Sequence, residues 1–124
     1  MEKVLNKDAK IFLIGAAAYP VMEILWRGRT HPSMAAVGGV CFLCISKLSG
    51  KMRHRSLWQK CAAGTCTITA VEFVSGIILN RQLKLGVWDY SKLPMNLMGQ
   101  ICLPYCALWY AICIPAFKLA AALD

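Results

Sequence analysis

Two acidic residues lie within long apolar stretches of this 124-residue sequence, and they are the first candidates for chemistry. Glu23 belongs to the stretch that begins near residue 11, and Glu72 to the one that begins near residue 61. A carboxylate within an apolar membrane span is costly unless it is paired, protonated or near water, and such residues commonly line ion or proton pathways. The two glutamates therefore indicate a candidate site for a proton or a cation.

The neighbours of Glu23 favour an ion pair. Tyr19 lies one helical turn before it, and Arg27 lies one turn after it. An acid four residues ahead of a base is the favourable order for a helical ion pair. Neutralisation by Arg27 near the membrane boundary is therefore the first interpretation of Glu23, and a place in a polar pathway with Tyr19 is the alternative.

Glu72 has no cation one turn away. On a helix it shares a face with Thr65, Thr69 and Gly76, where the glycine would let another helix approach closely. This polar face favours a pathway in which the two glutamates converge at the centre of a helix bundle. An interhelical hydrogen bond without any transport role is the alternative.

A polar string at 83–100, LKLGVWDYSKLPMNLMGQ, separates the last two apolar stretches. Asp89 can accept hydrogen bonds from the backbone of a turn. Asn96 and Gln100 can bridge helices or line a polar entrance. The string is interpreted either as part of a binding site or as a capped loop held by aromatic residues at the membrane boundary.

The elements that must position these residues are membrane-spanning helices. Hydrophobic residues make up 58% of the chain and charged residues 16%, compared with about 25% charged in a soluble domain. Four apolar stretches predict one domain, 1–124, with helices at about 11–27, 33–49, 59–80 and 95–118. The predicted fold class is all-α, an integral membrane four-helix bundle. Gly15 precedes Glu23 by eight residues and Gly64 precedes Glu72 by eight, which leaves open two helix-pair repeats.

The charged residues predict an orientation. The chain carries 14 basic and 6 acidic residues, and most of them lie between apolar stretches. Nine basic residues fall at the N terminus, in 47–60 and at Lys118, against five on the other side, so both termini are predicted to be cytoplasmic. The net charge of +8 is thus read as a topology signal, and nucleic acid is not an expected partner.

Seven cysteines lie in or beside the apolar stretches, where cysteine packs as a small hydrophobic residue. They predict no disulfide framework, and no His or Cys spacing indicates a metal ligand set. We therefore predict neither a metal site nor another cofactor.

The second half of the chain resembles the bacterial family of small multi-pass membrane proteins labelled putative ABC-transporter type IV (CmpB-like). The resemblance is strong over about 64–105 and looser before it, where it rests on Glu23, the following polar loop and the Gly38-Gly39 pair. The matching positions are Glu72, Gly76, Asn80, Trp88, Asp89, Tyr90, Ser91, Leu93, Pro94, Asn96, Gly99, Gln100, Ile101 and Cys102. The resemblance implies membrane transport and a bacterial cytoplasmic (inner) membrane.

Three functions remain open at this point. The first is a small transporter or channel component that assembles with copies of itself or with a partner membrane protein, since four short helices enclose little space. The second is a non-catalytic membrane scaffold or regulatory subunit. The third is an intramembrane enzyme acting on a lipid-like substrate, which the sequence favours least because no nucleophile–base pair is evident. The sequence lacks a phosphate-binding G-x-x-x-x-G-K-[ST] motif, so ATP hydrolysis is not expected of it.

Overall fold

The computed structural model describes the backbone of residues 2–123 and the side chains of residues 7–123. This part of the chain contains four long helices, each apolar and long enough to cross a membrane. They are α1 (Glu2–Arg27), α2 (Ser33–Lys51), α3 (Leu57–Gly76) and α4 (Leu103–Leu123), and a π-helical turn at Ile77–Gln82 extends α3. The predicted all-α four-helix bundle is confirmed.

The main difference from the expected helix bounds lies before α4. The sequence predicts a helix from about residue 95, but Asn96–Leu97 (β1) and Ile101–Cys102 (β2) form a short antiparallel hairpin, and α4 begins at Leu103. Met95, Met98 and Gly99 have φ values of 53°, 55° and 73°, which no α-helix contains. Apolar composition does not reveal these backbone angles, so the helix predicted from it began about eight residues too early.

The other bounds differ because helices continue past the apolar stretches. α1 begins at Glu2 instead of near residue 11, and α4 ends at Leu123 instead of near 118. Between α2 and α3, the Ser56 side chain accepts a hydrogen bond from the Gln59 backbone, and the Gln59 side chain accepts one from the Ser56 backbone. This capping box fixes the start of α3.

Close helix contacts occur at two glycines with equivalent spacing. A Cβ atom on Gly15 would lie 2.5 Å from the carbonyl oxygen of Gly38, so α1 and α2 pack backbone to backbone there. A Cβ atom on Gly64 would lie 2.8 Å from Sγ of Cys113 on α4. Small residues permit such approaches between membrane helices. The two helix pairs thus share one packing feature, while the internal repeat stays a prediction.

The helix arrangement leaves a groove between α1 and α4. α1 packs mainly on α2, and α4 packs on α3 and α2. The ends of α1 and α4 that lie near residues 28–32 and 83–102 form what we call the loop end of the bundle. Functional side chains collect at this end, beside the groove.

Candidate functional site

Glu72 is buried on α3 and is bound by two side chains from elsewhere in the fold. Its exposed fraction is 2%. The Tyr90 hydroxyl donates to Oε1 at 3.1 Å, and Nε1 of Trp109 donates to Oε2 at 2.5 Å. A buried carboxyl group requires such donors, because losing water without replacement costs free energy. Glu72 is therefore anchored to both the α3–α4 loop and α4.

Tyr90 reaches Glu72 because the loop folds back over the end of α3. The Asn80 carboxamide oxygen accepts from the backbone N–H groups of Val87 at 2.7 Å and Trp88 at 3.3 Å. Its nitrogen donates to the side-chain oxygen of Gln100 at 2.8 Å, and Nε1 of Trp88 donates to the Gln100 carbonyl at 2.9 Å. This buried network sets the position of the loop residues that follow Trp88.

A second set of hydrogen bonds shapes the outer part of the loop. Oδ1 of Asp89 accepts from the Ser91 backbone N–H at 2.9 Å, which lowers the pKa of the Asp89 carboxyl below its ordinary value. Asn96 donates to the carbonyl groups of Ser91 and Leu93 and accepts from the Gly99 backbone. Asp89 and Asn96 thus shape the turn that precedes α4, and neither belongs to the chamber lining described next.

A chamber of about 280 Å³ lies between α1 and α4 at the loop end. Much of its wall is aromatic, from Tyr19, Trp26, Tyr90, Tyr105 and Trp109. The Tyr90 and Tyr105 rings stack with centroids 4.5 Å apart, and the Tyr19 ring lies 5.7 Å from that of Trp109. Nε1 of Trp26 donates to the Tyr105 hydroxyl at 3.2 Å, which bridges α1 and α4. Large, mainly apolar rings therefore form much of the chamber wall.

Glu23 and Arg27 supply the charged part of the chamber wall. The ion pair predicted from their spacing is present, with Nη2 of Arg27 2.6 Å from Oε2 of Glu23. Thr30 donates to the other Glu23 oxygen at 2.8 Å, and Arg27 also donates to the Val87 carbonyl at 3.3 Å. Nε of Arg27 is buried and has no hydrogen-bond partner among the described residues. The Arg27 side chain as a whole is 24% exposed, so part of it remains accessible from the chamber.

Only one of the two glutamates lines the chamber. Glu23 does so, whereas Glu72 is separated from it by its own donors, Tyr90 and Trp109, which both belong to the lining. The chamber and the buried carboxyl group thus share two side chains. Any movement of either side chain changes both environments.

A comparison with known families places the chain. The family described as "putative ABC-transporter type IV" matches residues 31–123. The chain belongs to this family. The matched range contains Glu72, the α3–α4 loop and Trp109, while Glu23 and Arg27 precede it. The family name together with four apolar helices identifies a multi-pass membrane protein of a transporter-related type. No solved structure matches the chain.

In this ABC-transporter type IV family member, the hydrogen bonds of Thr65 and Thr69 go to partners other than Glu72. Thr65 donates to the Cys61 carbonyl one turn earlier at 2.7 Å, and the Thr69 hydroxyl lies 3.4 Å from Sγ of Cys106. The Thr65 contact is of a common kind, in which a threonine hydroxyl within a helix bonds to the backbone of its own helix. Of the predicted site residues, the structure brings Tyr19 and Glu23 to the chamber, Glu72 behind it, and Gln100 to the loop network.

Sequence reasoning missed Trp109, which binds Glu72, and Tyr105, which lines the chamber. Both lie inside the last apolar stretch, where no local signal distinguishes them from lipid-facing rings. Trp88 and Tyr90 belong to the string at 83–100, for which one interpretation was a capped loop held by aromatic residues at the membrane boundary. In the structure Trp88 is only 4% exposed, and its indole N–H is hydrogen-bonded within the protein. The W-D-Y string of the family was the one sequence feature that pointed to Tyr90.

The seven cysteines are all among the described residues, and all are free thiols. Within residues 7–123 no group of three or more His, Cys, Asp or Glu side chains is placed to hold a metal ion. The chemistry available at this site is thus that of carboxyl, guanidinium, phenol and indole groups.

Proposed function

We propose that this protein is a membrane component of a transporter, in which the chamber receives a ligand and Glu72 binds and releases a proton in response. The observation that supports this proposal is that Tyr90 and Trp109 both line the chamber and both donate to Glu72. A ligand that displaces either ring alters the hydrogen bonding of the carboxyl group. The glutamate then responds to an event in a chamber that it does not touch.

Protonation of Glu72 changes how many hydrogen bonds its carboxyl group can accept. This couples the proton to the positions of the Tyr90 and Trp109 rings, which donate those bonds. An ionised carboxylate only accepts hydrogen bonds, so it holds the Tyr90 and Trp109 donors together. A protonated carboxyl group must itself donate through one oxygen, which weakens its hold on one of the two donors. Binding that withdraws a donor therefore favours proton uptake, and proton uptake favours binding by the same free energy.

Tyr90 is the ring that moves in this proposal. It is half-buried on the loop, whereas Trp109 is buried within α4. The loop is held at Asn80 and Gln100 on one side and at Asn96 on the other. Movement of the Tyr90 side chain between these fixed points would break its stacking on Tyr105 of α4.

The transporter is proposed to be an assembly. The chamber lies at one end of the bundle and has a volume of only about 280 Å³. A translocation path therefore requires a second copy or a partner membrane protein, and ATP hydrolysis would reside on another chain. We propose that the termini are cytoplasmic and that the loop end faces outward, in a bacterial inner membrane. The unequal distribution of basic residues supports this orientation.

A non-catalytic scaffold is the second candidate, and one observation favours it. Glu72 is 2% exposed and already has a donor for each carboxylate oxygen, as in a purely structural interhelical contact. In a scaffold, Glu72 keeps one protonation state over the working pH range. In the proposed transporter component it changes state.

Infrared difference spectroscopy of the full chain in lipid nanodiscs distinguishes the two functions. We expect a carboxyl band that changes with pH, is lost in Glu72→Gln, and shifts in frequency in Tyr90→Phe. Glu23→Gln is the matched control, because it removes the chamber carboxylate and leaves both donors of Glu72 in place. If no band assigned to Glu72 changes over the pH range in which the chain stays folded, proton coupling is wrong and the scaffold is favoured.

A further inference from the structure

The chamber continues into a second cavity that runs deeper into the bundle. This cavity has a volume of about 200 Å³, and it shares Tyr19, Met22, Trp109 and Ile112 with the chamber. Below these shared residues its wall is apolar, with Ala18 on α1 and Ala116 on α4. The two cavities form one groove, which we call the α1–α4 groove, polar at the loop end and apolar further down.

The groove is open to the bilayer at the side. α1 and α4 are bridged at the loop end by Trp26 and Tyr105, and again where Tyr19 meets Trp109, but they make few other contacts. A ligand that enters from the side comes from the membrane and not from water. Membrane ligands of this shape have a polar head and an apolar chain.

The polar end of the groove supplies donors for an acidic headgroup. Arg27 is the last residue of α1, where a membrane helix reaches the lipid headgroup region. One of its nitrogens binds Glu23, and 24% of the Arg27 side chain stays exposed in the chamber lining. Guanidinium groups bind phosphate oxygens strongly. The exposed part of this side chain can therefore meet an oxygen-rich anion in the chamber.

We propose that the α1–α4 groove binds one membrane phospholipid, with an acyl chain in the apolar cavity and the phosphate at Arg27. Because the chamber is the site of the proposed function, this inference names the class of its ligand and rests on that function for any role in transport. The order of the two ends fits, since the polar end lies at the membrane boundary and the apolar end lies within the bilayer.

The contacts between α1 and α4 argue against a helix as the occupant. The hydrogen bond from Trp26 to Tyr105 and the ring contact between Tyr19 and Trp109 both cross the groove. A helix has a diameter of about 10 Å, so a helix of a second copy would have to break these contacts. A single extended hydrocarbon chain is much thinner than a helix.

The site is tested with the full chain in vesicles of phosphatidylglycerol and phosphatidylcholine that contain a trace of phosphatidylglycerol with a photoactivatable acyl chain. We expect labelling to concentrate on groove residues, chiefly Met22, Ile112 and Leu119. Ala18→Trp fills the groove from α1 and should reduce this labelling about tenfold. Ala17→Trp is the matched control, since Ala17 is also exposed on α1 but does not line the groove.

The headgroup contact is tested by retention of phosphatidylglycerol in native mass spectrometry. Arg27→Gln should weaken retention about tenfold, because a hydrogen bond to a charged group contributes roughly 1.4 kcal/mol or more. Arg29→Gln, in the exposed connection outside the chamber lining, should leave retention unchanged. Displacement of the lipid by millimolar inorganic phosphate would show a free-anion site and overturn the assignment to a lipid.

Three other results would also overturn the inference. One is labelling spread evenly over α1 and α4 and unaffected by Ala18→Trp, which indicates annular lipid only. Another is equal retention by Arg27→Gln and the unmodified chain, and the third is cross-linking of the groove to a helix of a second copy. Lipid binding without titration of Glu72 would refute the proposed proton coupling alone, whereas titration without specific binding would refute the lipid site alone.

Discussion

Replacing Tyr90 with phenylalanine removes one hydroxyl group and leaves the ring that stacks on Tyr105. The lost contact is the 3.1 Å hydrogen bond to Oε1 of Glu72, a residue that is 2% exposed. A hydrogen bond to a charged group contributes about 1.5–3 kcal/mol, and side-chain hydrogen bonds in membrane proteins fall near or below the lower end of this range. We therefore expect Tyr90→Phe to lower the free energy of unfolding by about 1.5 kcal/mol.

A double-mutant cycle with Glu72→Gln isolates this contact. In the Glu72→Gln background the acceptor is neutral, and the same Tyr90→Phe change should cost only about 0.5 kcal/mol, which gives a coupling energy of about 1 kcal/mol. The coupling should shrink at low pH, because a protonated Glu72 makes a weaker, neutral hydrogen bond. Reversible unfolding in mixed detergent micelles, followed by tryptophan fluorescence, measures each free energy.

Tyr105→Phe serves as the control for this cycle. Its hydroxyl accepts from Trp26 and does not bond to Glu72, while its ring has the same stacking role as that of Tyr90. We expect its cycle with Glu72→Gln to be additive within about 0.5 kcal/mol. Additive behaviour of Tyr90→Phe itself, at both high and low pH, would refute the argument that Tyr90 is held by the charge on Glu72.

Three further predictions concern packing, the loop and topology. Gly64→Val should lower the free energy of unfolding by about 1–3 kcal/mol, because its Cβ would lie 2.7 Å from the Phe117 ring. A Cβ on Gly50 meets nothing within 4 Å, so Gly50→Val should cost far less. Equal effects of the two changes in detergent unfolding would contradict the helix contact. Asn80→Ala should speed hydrogen exchange across 83–102, since it removes the acceptor of two backbone N–H groups and the partner of Gln100; unchanged exchange would mean that the loop is held elsewhere. A tag after Lys92 should be reached by antibody in intact spheroplasts and a C-terminal tag only after permeabilisation, and the reverse pattern would invert the proposed orientation.

The membrane-spanning helices and the Glu23–Arg27 pair could be predicted from the sequence because both depend on local properties. Apolar length predicts a span, and a four-residue spacing places two side chains on one helix face. The start of α4 could not be predicted, because it depends on three residues with positive φ within an apolar region. Local hydropathy carries no information about such angles.

The sequence predicted the local hydrogen bonding of Asp89, Asn96 and Gln100, but not the position of their loop relative to the chamber. Their residue types indicate turns and interhelical bridges, and in the structure they hold the loop in shape. Whether such a loop lines a chamber depends on which ring it directs inward. That ring is Tyr90, and its direction follows from hydrogen bonds that the Asn80 side chain makes across the end of α3.

The sequence by itself determined that the protein is a helical membrane protein, that two carboxyl groups lie within its spans, and that one of them has a basic partner. Tertiary structure decided what surrounds the other. The donors of Glu72 lie 18 and 37 residues away along the chain, so they meet it only when the loop closes over α3 and α4 packs beside it. The chamber likewise joins the first and last helices, which are distant in sequence and are positioned by packing on α2. Contacts of this kind depend on how whole helices pack, and residue type and spacing along one helix do not specify that packing.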